Sequence, residues 1–365
     1  MEYPRQITTV QAAIILFSSV IGVGVLPLSL FAVKGADTGA PLVILLGVLI
    51  ASVGMVFITL LGMKYPGKTI VQYSEELIGK WPARIMSALF ILYAAQLTAF
   101  GSREFGEVVV TSVLQRTPLE VTVTVMLLLA ALSARSDLTT FAYIHHLYFP
   151  LILFPGILIV ALSLKNSHVL NLLPIWGNDQ SGMLSEVLTI ASLFQSYIVM
   201  TVVIPGMRRP DRALTAALWG MAMAGGIYLM IVIATVSVFG PEEVKNLLWP
   251  TLELAKTTSL PANVLERLDG AFLAVWVTAV FTTLYSMYYV TIRSLSQLFK
   301  LRDHKLFSLV ILPFFFVIAM FPQNIINMYR LITIIGRWGL IITLLYPVLL
   351  FVVSRIRGNR GVPGT

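Results

Sequence analysis

Residues 14–27, IILFSSVIGVGVLP, constrain the fold more than any other stretch of this chain. They sit inside an apolar run, Thr8 to Val33, long enough to cross a bilayer, which takes about twenty residues. Yet Gly22, Gly24 and Pro27 fall close together there, with Ser18 and Ser19 just before them, and glycine and proline weaken a continuous helix. The run is therefore predicted to break. In hydrocarbon, backbone N–H and C=O groups freed by a break must be buried in protein or line a cavity. A broken first span thus predicts a small polar cavity near mid-membrane, and that cavity is the expected functional site.

Composition sets the solvent. A chain of 365 residues that is 58% hydrophobic and 12% charged, with mean hydropathy +0.88, is too apolar for a soluble domain and reads as a single polytopic membrane domain over 1–365. The first span carries no small-residue cleavage site, so Met1 to Ile7 reads as a short cytoplasmic lead-in. Cysteine is absent, which excludes disulfides, thiolate catalysis and cysteine metal sites. The net charge of +8 would point to nucleic acid only if the basic residues formed one exposed face. They lie instead in short loops between apolar runs, which fits membrane topology and no nucleic-acid partner.

Beyond the broken run, uninterrupted spans are expected at Pro41 to Met63, Pro82 to about Thr111, Pro118 to Leu132 and Leu138 to Leu164, the last kinked by Pro150 and Pro155. The loop Lys64 to Trp81 reads as a short interfacial helix. Leu184 to Met207 is a sixth span, interrupted by Gln195, Ser196 and Tyr197 and ended by Pro205 and Gly206. Ala213 to Phe239, Leu268 to Val290, Phe307 to Phe321 and Leu331 to Val353 bring the total to about ten, with an amphipathic helix expected over Thr251 to Thr258 in the longest loop. With both termini cytoplasmic, sixteen of the 25 basic residues fall on the inner side, among them Lys64, Lys68, Arg208, Arg209, Lys300 and Arg355. This bias predicts N-in and C-in. Ten spans divide into repeats of about 8–164 and 184–354 with opposite starting sides, so the sixth span is the inverted counterpart of the first. Both are interrupted, which is the sequence signature of a transporter-type inverted repeat with its site at the breaks.

Several short blocks carry a family likeness. QITTVQ before a GxG-containing span, Thr117-Pro118, NLLPIWG at Asn171 to Gly177 and above all LERLDGAFLAVWV at Leu265 to Val277 resemble the B subunits of spore germination receptors, the endospore germination permease family of the amino acid–polyamine–organocation superfamily. The likeness spans nearly the whole chain. It implies an all-α, LeuT-like membrane fold of ten helices in a 5+5 inverted repeat, broken in helices 1 and 6, with an amino-acid-sized ligand at the breaks faced by the third and eighth spans. It also implies a nutrient receptor of the spore inner membrane that works with A and C subunits, without chemistry on the ligand and without a cofactor. The sixth span departs from the pattern, reading LFQSYIVM where small glycine-rich residues are implied.

Each candidate residue has two readings. Amides of Ser18, Ser19, Gly22 and Gly24 either hold a ligand carboxylate at a half-helix N-terminus or belong to close packing through small residues. Phe194, Gln195, Ser196 and Tyr197 either cover the ligand or bond between helices. Tyr93, Gln96 and Leu97 share one face of the third span and form either a pocket wall or a packed face with a buried amide. Thr278, Phe281 and Thr282 hold the corresponding face of the eighth span, with Thr283 and Ser286 as hydroxyls for a ligand or cation, though threonine also bonds its own helix. His145 and His146 enter the membrane early in the fifth span and are a candidate proton site. Arg103 and Glu107 pair along the third span, with Glu104 turned elsewhere, as an outer gate or a structural pair. Glu266, Arg267 and Asp269 open the eighth span as caps or as a partner surface. The competing function is a proton- or sodium-coupled amino acid transporter.

Overall fold

The computed structural model describes residues 6–177, 182–257, 268–301 and 303–357; Glu266 and Arg267 lie outside them. The chain begins with α1 (Thr9–Val20), whose first turn is closed by a capping box. Thr8 Oγ1 accepts from the Gln11 amide at 3.2 Å and Gln11 Oε1 from the Thr8 amide at 3.0 Å. After a short 3₁₀ turn at Val23–Val25 the span resumes as α2 (Leu28–Ala36), with Pro27 as its N-cap. These two half-helices are the first pass. The second is α3 (Ala40–Lys64), followed by the amphipathic α4 (Ile70–Ile78). The third, fourth and fifth are α5 (Lys80–Ser112), α6 (Leu119–Ser133) and α7 (Leu138–Ser163).

The sixth pass is the second broken one. It runs as α8 (Met183–Leu193), a 3₁₀ segment at Gln195–Val199 and α9 (Met200–Val203). The seventh is α10 (Ala213–Phe239), and two short helices, α11 (Pro241–Asn246) and α12 (Pro250–Thr257), cover one end of the bundle. The eighth is α13 (Leu268–Leu298), about two turns longer at its C-terminal end than hydropathy indicates. The ninth comprises α14 (Lys305–Val310) and α15 (Leu312–Met320). The tenth comprises α16 (Ile325–Leu340) and α17 (Tyr346–Ile356), joined by a π-helical turn at Ile341–Leu345.

Among the described residues, seven helical stretches are long and apolar enough to cross a membrane, one of them running α2 into α3, and three shorter apolar helices complete the ten passes. The most apolar window of the sixth pass is 89% buried inside the bundle, against 17% for the fifth. The broken passes are thus the core. Leu49, Leu128, Phe154 and Phe314 are exposed on the outer passes, where hydrocarbon rather than protein is their solvent.

The packing repeats when pass n is exchanged with pass n+5. The first pass packs on the seventh as the sixth packs on the second, and the first on the fifth as the sixth on the tenth. Likewise the third pairs with the fourth as the eighth with the ninth. The third–eighth and second–seventh contacts map onto themselves.

One loop residue makes stability depend on pH. His304 is buried, with Nε2 3.3 Å from the Ser136 carbonyl, and burial together with the nearby Arg293 charge pushes its imidazole down to about 4. The folded state holds this ring neutral while the unfolded chain protonates it at an ordinary histidine value. Its stabilisation is therefore complete above the ordinary value and lost as pH falls toward about 4. The melting temperature in detergent is expected to decline across that window, and His304→Gln is expected to flatten the decline.

Candidate functional site

Where α1 stops, its last carbonyls lose their helical partners, and side chains from distant passes replace them. Thr282 Oγ1 donates to Ser18 O at 3.0 Å and Tyr228 OH to Val20 O at 2.9 Å. Trp276 Nε1 donates to Gly22 O at 3.1 Å and Thr251 Oγ1 to Val25 O at 2.7 Å. The first break is therefore held open by the seventh and eighth passes and by α12. The sixth-pass break forms without a glycine. Gln195 accepts from Tyr93 OH and donates through Nε2 to Gly336 O at 2.9 Å, while Tyr197 OH donates to Thr343 O, inside the π turn, at 3.1 Å.

Between the two breaks lies a cavity of about 80 Å³. The first pass lines it with Val20, Gly24 and Pro27, the third with Tyr93, Gln96, Leu97 and Glu104, the sixth with Ser192, Leu193 and Ser196, the eighth with Thr283 and the tenth with Tyr329 and Gly336. The space is several water molecules in size, and its walls are mostly apolar with a few polar groups, as in sites for small organic ligands.

The sequence candidates separate into three groups, with Thr278, Phe281 and His146 outside all of them. Gly24, Tyr93, Gln96, Leu97, Ser196 and Thr283 line the cavity. Gly22, Phe194, Gln195, Tyr197 and Thr282 form its frame. A Cβ on Gly22 would overlap Thr283 Oγ1, Phe194 packs edge-on against Tyr228, and Thr282 turns to Ser18 O. Thr278 bonds back to Val275 O at 2.6 Å and Phe281 stacks on Tyr285, both away from the cavity.

The third group surrounds His145, which is wholly buried. Its Nδ1 lies 2.9 Å from Ser18 Oγ and its Nε2 3.1 Å from Ser286 Oγ, which in turn lies 2.6 Å from Ser19 Oγ. The ring ties the first, fifth and eighth passes together and stacks against Tyr285. His146 points out of the bundle and is exposed. Arg103 pairs with Glu107 at 2.8 Å and also reaches Met320 Sδ at 3.5 Å, a structural tie between the third and ninth passes.

Several lining residues stand outside the sequence-derived ligand set, among them Val20, Pro27, Ser192, Leu193 and Gly336, and two of them carry titratable groups, Glu104, read from sequence only as turned away from the Arg103–Glu107 pair, and Tyr329. The signal for Glu104 was present as an acid in mid-span with no basic residue three or four positions away. Tyr329 carried none.

The family model described as "Spore germination protein" matches residues 6–328. The chain belongs to the spore germination protein family. Among its curated relatives are the Bacillus subtilis (strain 168) spore germination protein YndE, 28% identical over 96% of this chain and 97% of that protein, and spore germination protein B2 of the same organism, 23% identical over 98% and 97%. Spore germination protein GerLB of Bacillus cereus is 23% identical over 94% of this chain and 93% of its own. Among solved structures, a Na⁺-coupled sialic acid symporter in a substrate-bound outward-open state is similar with TM-score 0.72, covering 96% of this chain and 81% of that one at 13% identity. That likeness establishes the fold, a LeuT-like arrangement for this integral membrane member of the spore germination family.

Proposed function

We propose that this protein is the ligand-sensing subunit of a nutrient germinant receptor in the spore inner membrane, acting with A and C subunits and without catalytic chemistry. The observation that carries the reading is the cavity where the two broken passes meet, bounded by the third, eighth and tenth. A small germinant, such as an amino acid, binds there and shifts the equilibrium between states through its different affinity for them. The chain divides into repeats of about 8–164 and 184–354, a reading supported by the exchange symmetry of the packing, and both termini lie on the cytoplasmic side, as the basic-residue bias favours.

Binding is tested by a thermal-shift screen of the purified protein against amino acids, sugars and nucleosides, since a ligand of the folded state raises melting in a concentration-dependent way. Leu97→Trp, which places an indole in the cavity, is expected to abolish that shift while the ligand-free protein still melts cooperatively. A full shift in this variant would remove the cavity from the ligand path. Coupled transport is a second reading, supported by the buried polar cluster of His145 with Ser18, Ser19 and Ser286. Uptake of the identified ligand into proteoliposomes, with and without a proton or sodium gradient, separates it from sensing alone.

A further inference from the structure

Among the described residues, Glu104 is the one charged side chain that lines the cavity, and it is 3% exposed. No cation of the described chain lies within ion-pairing distance of it; the adjacent Arg103 is turned away and committed to Glu107. Its hydrogen bond comes from a neutral group, Tyr329 OH, at 3.1 Å. A carboxylate buried without a cation is costly, and the cost is removed when a positive charge arrives with its own donors. The first-pass break also lines the cavity at Gly24, which carries no side chain.

We infer that Glu104 is the specificity-determining residue of this cavity, pairing with a protonated amine on the ligand. The inference rests on the reading that the cavity is the ligand site. It also gives the site an outlet. Tyr329 OH, which donates to Glu104, accepts from Trp249 Nε1 at 2.9 Å, and Trp249 immediately precedes α12. An amine that takes over the Glu104 carboxylate competes with Tyr329 and so alters the fastening of α11 and α12, to which Thr251 to Val25 O and Lys245 to Asp37 also contribute. Occupancy of the cavity is thereby transmitted to the end of the bundle that those helices cover.

The experiment compares small L-amino acids with the 2-hydroxy acids of the same skeleton, such as L-alanine with L-lactate, in thermal-shift titrations of the purified full-length protein. Wild type is expected to bind the best amine at least tenfold more tightly than its hydroxy counterpart, the scale of a charge-assisted hydrogen bond. Glu104→Gln, which keeps shape and a partner for Tyr329, is expected to erase that ratio, while Glu107→Gln on the same helix is expected to keep it. Equal binding of amine and hydroxy acid by wild type overturns the inference and leaves the cavity reading intact; it needs no variant to fold. Equal ratios in wild type and Glu104→Gln overturn it as well. If no compound of either series, and none of the sugars and nucleosides, stabilises wild type, the cavity reading itself fails and the inference with it. The outlet is read by amide hydrogen exchange over 240–257. L-Amino acid binding is expected to change exchange there in wild type and not in Tyr329→Phe; the same change in both overturns the outlet.

Discussion

Gly22→Ala is expected to lower the ligand-free melting temperature sharply, whereas Gly24→Ala should melt close to wild type. The two glycines are one residue apart on the same break, and the difference lies in what surrounds them. A Cβ on Gly22 would overlap Thr283 Oγ1 and stand 2.8 Å from Thr283 Cβ and 3.0 Å from Ala279 O. Two of these atoms cannot rotate away, because Thr283 Cβ and the Ala279 carbonyl belong to the wall of a buried helix. Relief would require the break to move off α13, and that would also stretch the bond from Trp276 Nε1 to Gly22 O. Overpacking of this kind costs about 1–3 kcal/mol, and the strained hydrogen bond adds to it. At Gly24 the nearest atoms are Leu193 Cδ2 at 3.4 Å and Tyr228 OH at 3.7 Å, which is ordinary contact. An added methyl there narrows the cavity and is expected to weaken ligand binding without unfolding the protein. Melting curves of the two variants, taken with and without ligand, check both statements. A Gly22→Ala protein that melts like wild type would mean that the first break does not pack closely on the eighth pass.

How legible was this in the sequence? The passes were, because bilayer thickness sets their length and their composition has to match hydrocarbon. The first break was also legible, since glycine and proline mark it. The sixth-pass interruption is legible in the polarity of Gln195, Ser196 and Tyr197, and the 3₁₀ segment at Gln195–Val199 lies there, although nothing in these side chains forbids a helix. The break is stabilised from outside, by Tyr93, Gly336 O and Thr343 O, which are far away along the chain. Orientation around a helix was the other barrier. Thr282 and Thr283 are neighbours in sequence, but successive residues point about 100° apart on a helix; both reach the Ser18 carbonyl, at 3.0 and 3.4 Å, and only Thr283 lines the cavity. Spacing identifies a shared face and leaves open what that face meets. Glu104 illustrates the limit, because its separation from the Arg103–Glu107 pair follows from the sequence, while its place opposite Tyr329 depends on how the tenth pass packs.

His145→Leu is expected to destabilise the protein by about 1–3 kcal/mol, two buried hydrogen bonds at roughly 0.5–1.5 kcal/mol each. Leucine fills comparable space and keeps an apolar surface toward Phe141 and Tyr285, so the loss is of polar ties rather than of packing. With the ring gone, Ser18 and Ser286 can both donate to their own helices, to Ile14 O at 2.6 Å and Thr282 O at 2.8 Å. What disappears is the connection from the fifth pass to the first and eighth. His145→Asn places an amide near the Nδ1 position and is expected to be intermediate, keeping the Ser18 contact and losing the Ser286 one. A double-mutant cycle decides between a shared network and general disruption of the core. Ser18→Ala removes one of the two bonds that His145→Leu removes, so Ser18→Ala should cost less in the His145→Leu protein than in wild type, giving a coupling within the range of about 0.5–3 kcal/mol seen for residues in contact. Because His145 does not line the cavity, ligand-induced stabilisation should persist in His145→Leu. Additive costs for the two substitutions would show that the ring is merely packed beside Ser18, and that the first and fifth passes are held together by apolar contact alone.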